Sequence, residues 1–160
     1  MPPRGALAEQ ARQAMGLPTE DTRALACRVQ MAGTFTIAAG VSGDVLWNTE
    51  RWDRGGMWDQ TVDAGATIKL RAAGIWILEW SLTLSAIDAL VSASIRVNNT
   101  PSLDLANVTF TAAAWAGTVT ADLRSGDTIK IAYASTSASS RAIAAGAFLS
   151  VYRQQRGGRR

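Results

Sequence analysis

The stretch Ile75–Leu84, "IWILEWSLTL", alternates along its length. Trp76, Leu78, Trp80, Leu82 and Leu84 point one way, while Glu79, Ser81 and Thr83 point the other. Successive side chains of an extended chain leave on opposite faces, so a period of two with one apolar set marks a strand half-buried against a core. The run belongs to an antiparallel sheet.

The same pattern recurs outward from this strand. "VSASIRV" sets Val91, Ala93, Ile95 and Val97 against Ser92, Ser94 and Arg96, and "NNTPS" after it reads as a turn. "WAGTVTADL" alternates again, and "RSGD" turns the chain into "TIKIAYAS". Upstream, "CRVQMAGTFTI" is a β-type run broken at Gly33, and downstream "AIAAGAFLSVY" closes the series. The alanine- and serine-rich "AYASTSASSRAIAA" reads as a flexible loop between the last two strands. Short strands parted by turn signals, with no helical period after residue 26, predict an all-β sandwich or barrel.

Residues 1–26 have a different pattern. "GALAEQARQAM" places Leu7, Ala11, Ala14 and Met15 at helical spacing, and Gly16 and Pro18 close the segment. So small an apolar face needs something to lie against. The expected organisation is a helical anchoring segment over 1–26, a β domain over 27–153, and a basic tail over 154–160 that includes Arg156, Arg159 and Arg160.

Composition removes several classes of chemistry. The 160 residues contain no histidine and one cysteine, Cys27. An internal disulfide framework is excluded, and so are hydrolases that pair serine or cysteine with histidine. The net charge is +3, from 16 basic and 13 acidic residues. The C-terminal "RQQRGGRR" lacks interleaved aromatic residues, so nucleic acid is not expected as a partner. No apolar run reaches the roughly 18 residues of a membrane-spanning helix, and the start has no apolar signal core. The chain is expected to be made in the cytoplasm and not to enter a membrane.

The segment Asn48–Asp59, "NTERWDRGGMWD", raises the question of a site, since tryptophans flank a glycine pair among charges. Asp53, Asp59 and Asp63 are near one another in sequence, and two carboxylates about 5–9 Å apart can hydrolyse a glycoside. Arg51 and Arg54 interleave with them, which points to ion pairs instead. No regular D-x-D-x-D-G spacing suggests calcium. The glycines permit positive φ, so the segment is expected to be an architectural corner. Neither catalysis nor a cofactor or metal is expected. Glu79, on the outward side of its strand, is a candidate interface carboxylate for an arginine such as Arg96 or Arg141 of a neighbouring copy.

Taken in order, five pieces resemble the globular head of complement component one q, a tumour-necrosis-factor-like jelly roll. They are "VLWNTERWDRGGMWD", "IKLRAAGIWILEWSL", "SIRVNN", "WAGTVTADLRSGDTIKIAYAS" and "AGAFLSVYR", over about residues 28–153. The matching motifs are the glycine turn and aspartate of "GGMWD", the strand entry "LRAAGIW" without the family's proline, "IRVNN", the corner "VTADLRSGDTI", and the closing "GAFLSVY". The resemblance implies a homotrimer, with Trp76, Trp80, Tyr133, Phe148 and Tyr152 as expected trimer core or interface. Short relatives without a collagen stalk are common among bacteriophage structural proteins. The implied role is thus a virion protein, a capsid decoration or head-fibre-like trimer fixed to the major capsid or tail protein. Leu7, Ala11, Met15, Arg156, Arg159 and Arg160 are the expected anchoring residues. The alternative is a tip module that binds a host-surface glycan or receptor through Trp115 and the loops "SAIDAL" and "STSASSR".

Overall fold

The computed structural model of the chain describes residues 25–154. Twelve strands follow in order: β1 Ala26–Gln30, β2 Phe35–Ile37, β3 Ser42–Asp44, β4 Thr49–Arg54, β5 Ile68–Lys69, β6 Gly74–Thr83, β7 Asp88–Val97, β8 Thr100–Phe110, β9 Ala114–Leu123, β10 Thr128–Ser135, β11 Arg141–Ile143 and β12 Phe148–Arg153. One 3-10 turn, Val62–Gly65, interrupts them. The expected anchoring residues Leu7, Ala11, Met15, Arg156, Arg159 and Arg160 lie outside the described residues.

The first sheet has the order β4-β1-β12-β6-β9, and the second has β3-β10-β7-β8 with β5 also on β10. All pairings are antiparallel, and β11 pairs with β2 as a small third sheet. Apart from the β7–β8 hairpin, consecutive strands lie in different sheets, as in a jelly-roll sandwich. The all-β reading holds.

The core fills the space between the sheets. Trp76, Leu78, Trp80, Leu82 and Leu84 of the deciding stretch are at most 5% exposed, and they join Val91, Ile95, Ile129, Ile131, Leu149 and Val151. Trp80 and Trp115 meet with ring centroids 5.3 Å apart and planes tilted by 52°. Gly117 faces Trp80 across β6 and β9 and leaves room for the ring.

The turns follow their chemistry. Val97 pairs with Thr100, so Asn98 and Asn99 alone connect β7 and β8, with φ of 55° and 54°. Positive φ at both central residues defines a type I′ hairpin, whose twist matches the strands, and asparagine tolerates that conformation. Asn98 Nδ2 donates to Asp127 Oδ1 at 2.8 Å, and Asn98 Oδ1 accepts from the Thr128 amide at 2.9 Å. Asp127 Oδ2 accepts from the Arg124 amide at 2.8 Å and so caps the turn at "RSGD".

Two expectations change. Residues 100–110, read only as a turn at "NNTPS", form the eleven-residue strand β8. β8 lies at the edge of its sheet, where a proline's missing amide costs no central ladder bond. The "STSASSR" stretch is no loose loop either. Ser135 and Ser137 are buried, the Ser135 hydroxyl accepts from the Ser137 amide and the Ser137 hydroxyl from the Ser139 amide, and Arg141 pairs with Asp88 at 2.9 Å.

Candidate functional site

The corner "GGMWD" comes first, because it decides whether the acidic residues form a site. Gly55 and Gly56 have φ of 137° and 60°. The Trp58 amide donates to Asp53 Oδ2 and its indole Nε1 to the Gly65 carbonyl, each at 2.9 Å. Gly65, with φ of 85°, lies so close to Trp47 that a Cβ would stand 2.5 Å from its carbonyl oxygen. Asp59 Oδ1 accepts from both the amide and the hydroxyl of Thr61, and these bonds lower its pKa. Asp63 Oδ2 accepts from Thr67 Oγ1 at 2.6 Å and pairs with Lys130 at 3.1 Å, which together lower its pKa. Asp53, Asp59 and Asp63 each accept hydrogen bonds that hold the loop.

The sheet faces differ in kind. On the second sheet, the outward side carries charges that are already matched: Lys130 with Asp44 at 3.2 Å, and Arg96 with Asp104 at 3.3 Å. Beside Arg96 and Asp104 a shallow trough of about 320 Å³ is lined by small residues, among them Ser92, Ser94, Ala132 and Ala134.

On the first sheet, register builds the outward side row by row. Trp52, Arg28, Ser150, Glu79 and Thr118 form one row across all five strands. Arg54, Ala26, Tyr152, Ile77 and Thr120 form the next, and Ile75 faces Asp122 beyond it. Arg28 lies over the Phe148 ring, with Cζ 3.8 Å from the centroid, a cation–π contact. Tyr152 donates its hydroxyl to Glu79 Oε1 at 2.8 Å, and this bond, with some burial, raises the phenol pKa. Two polar atoms here are buried and have no partner, Arg28 Nε and the hydroxyl of Ser150, whose residue is only 1% exposed. Groups in that condition are costly unless something supplies a hydrogen bond.

The expected interface residues divide. Phe148 and Tyr152 lie on this outward side. Trp76 and Trp80 do not: they are 0% and 5% exposed and fill the space between the sheets, because the apolar set of β6 faces the second sheet. Tyr133 is on β10 of the second sheet, edge-on to Phe35 at 5.7 Å. Trp115, expected to recognise a ligand, is 8% exposed and packed on Trp80. Glu79 takes its hydrogen bond from Tyr152 of its own chain, while Arg96 and Arg141 pair within the chain with Asp104 and Asp88. Trp52, Arg28 and Ser150 were missed as a row. Their alternation was visible in "CRVQM" and "FLSVY", but only strand order puts them side by side.

No protein-family model and no curated protein sequence matches the chain. Among solved structures it is similar to murine APRIL, with 13% identity, a TM-score of 0.62, and coverage of 82% of this chain and all of that one. It is similar to Eiger TNF from S. frugiperda, with 11% identity and a TM-score of 0.54 over 86% of this chain and 98% of that one. It is also similar to bushbaby GITRL, with 8% identity and a TM-score of 0.54 over 86% of this chain and all of that one. The fold is therefore a tumour-necrosis-factor-like jelly roll, as the five sequence pieces imply.

Proposed function

We propose that the chain is a non-enzymatic structural module that forms a homotrimer through the outward side of its first sheet. In this reading it serves in a bacteriophage virion as a capsid decoration or head-fibre-like protein, with residues 1–26 or the basic tail fixing it to the major capsid or tail protein. What carries self-association is the tumour-necrosis-factor-like fold together with the outward side of the first sheet, where Trp52, Arg54 and Asp122 are exposed. The engaged state of Asp53, Asp59 and Asp63 supports a role without catalysis. The virion setting rests on the sequence resemblance.

Light scattering of the full chain tests the first part: three chain masses are expected, and a single chain mass overturns it. Immunogold labelling of phage particles with an antibody to the chain tests the second, and unlabelled particles overturn the virion role. A recognition role draws support from a different observation. Ile87 and Leu90, in "SAIDAL", are 62% and 56% exposed. Binding of the full chain to a glycan array, lost in Ile87→Ser with Leu90→Ser, would favour that reading.

A further inference from the structure

The charges on the outward side of the first sheet are sorted by strand. Arg54 on β4 and Arg28 on β1 lie toward one edge, whereas Glu79 on β6 and Asp122 on β9 lie toward the other. Uncharged Phe148, Ser150 and Tyr152 of β12 separate the two groups. Among the described residues, Arg28 and Glu79 share a row yet make no ion pair with each other. Arg28 turns to Phe148 and Glu79 to Tyr152. Arg54 and Asp122 are exposed. The second sheet contrasts with this at its centre, where Lys130 and Arg96 pair with carboxylates of the same chain.

We infer that two copies meet with opposite ends of this side in register, so that Arg28 and Arg54 of one chain lie against Glu79 and Asp122 of the next. The inference rests on the self-association reading above and adds its orientation and charge pairing. The occupants of the face are neighbouring copies of this chain, because the face carries both halves of a complementary pattern. Packing with like ends together would bring two arginines against two arginines and two carboxylates against two carboxylates, each repelling. Basic end against acidic end, repeated around three copies, matches all four groups of every chain, with its arginines given to one neighbour and its carboxylates to the other.

Two experiments on the full chain test this. In the first, light scattering follows dissociation of the wild type, of Arg28→Glu with Arg54→Glu, of Glu79→Lys with Asp122→Lys, and of all four together. Each pair alone is expected to weaken association by about tenfold or more, and the fourfold exchange to restore it. The second avoids any burden on folding by changing only exposed positions. Arg54→Cys and Asp122→Cys chains are mixed with a short bis-maleimide, and cross-linked heterodimer is expected above either homodimer. Cys27 does not compete, since it is fully buried. A wild type of single-chain mass overturns the self-association reading and this inference with it. A multi-chain wild type that is indifferent to both reversals, or whose cross-links are all between like positions, overturns only the inference.

Discussion

Gly117 stands opposite Trp80 across β6 and β9, and a Cβ at Gly117 would lie 2.8 Å from the indole Cζ2. The ring is also held by Trp115 and cannot retreat without disturbing that pair. Gly117→Ala is therefore expected to destabilise the fold by about 1–3 kcal/mol, as overpacking does in a filled core. Urea unfolding followed by tryptophan fluorescence measures it. An unchanged midpoint would mean that the Trp80 pocket is loose.

At the β7–β8 turn, Asn98 combines a positive φ with two side-chain bonds that tie the hairpin to Asp127 and Thr128. Asn98→Gly keeps the backbone freedom and loses only the bonds, whereas Asn98→Ala loses both. The alanine variant should cost about 1–3 kcal/mol and the glycine variant less. Equal losses would show that the backbone conformation contributes nothing.

Lys130 joins two segments far apart in sequence by pairing with Asp44 and Asp63. Burial alone would lower the lysine pKa, but the hydrogen bonds to Asp63 and Asp44 outweigh it and raise it. Asp63 is lowered from 3.8, first by Thr67 and then by Lys130. A lowered carboxyl pKa stabilises the fold above the unfolded value, and that contribution is lost as pH falls through the folded value. Stability should thus decline below about pH 4 in the wild type and decline less in Asp63→Asn, as read by thermal melts across an acid series.

The opposite sign applies to Tyr152, whose pKa is raised above 10.0 by Glu79. Its contribution is complete below the unfolded value and is lost as pH rises through the raised one. Melts above pH 10 should fall in the wild type and fall less in Tyr152→Phe. Identical alkaline limbs would remove the Tyr152–Glu79 bond as a stabilising contact.

Cys27 is fully buried, and burial raises its pKa, with Asp53 and Glu50 adding to the rise. The thiolate is the reactive form, so the native chain should be inert to a thiol reagent. Labelling should begin only where denaturant opens the sandwich. Rapid labelling in buffer would contradict the burial.

The strands of strongest alternation were legible because one apolar set and one polar set leave a single choice of core side. "IWILEWSLTL" and "VSASIRV" both lie where alternation puts them. What alternation leaves open is which buried surface receives the apolar set. Trp76 and Trp80 were expected between subunits and lie between the sheets. The glycine-rich corner was readable from its residues alone. β8 was not, since "TPSLDLANVTF" mixes proline, aspartate and asparagine into a strand that only an edge position accommodates. The serine-rich stretch failed for a related reason. Its side-chain hydrogen bonds replace the apolar contacts that a hydrophobic pattern detects. The sorted row from Arg54 to Asp122 draws on all five strands of a sheet, so it exists only after strand order is known.

The excursion between β4 and β5 is fastened at many points: Trp58 to Asp53 and Gly65, Lys69 to the Met57 carbonyl, Arg71 to the Gly56 carbonyl, and Asp63 to Lys130. A segment tied in this way has no cheap way to open alone. Its amides should exchange with solvent at the pace of the sandwich, and a protease should find no early cut between residues 55 and 69. Although it is a connection by shape, it will come apart only when the whole sandwich of strands does.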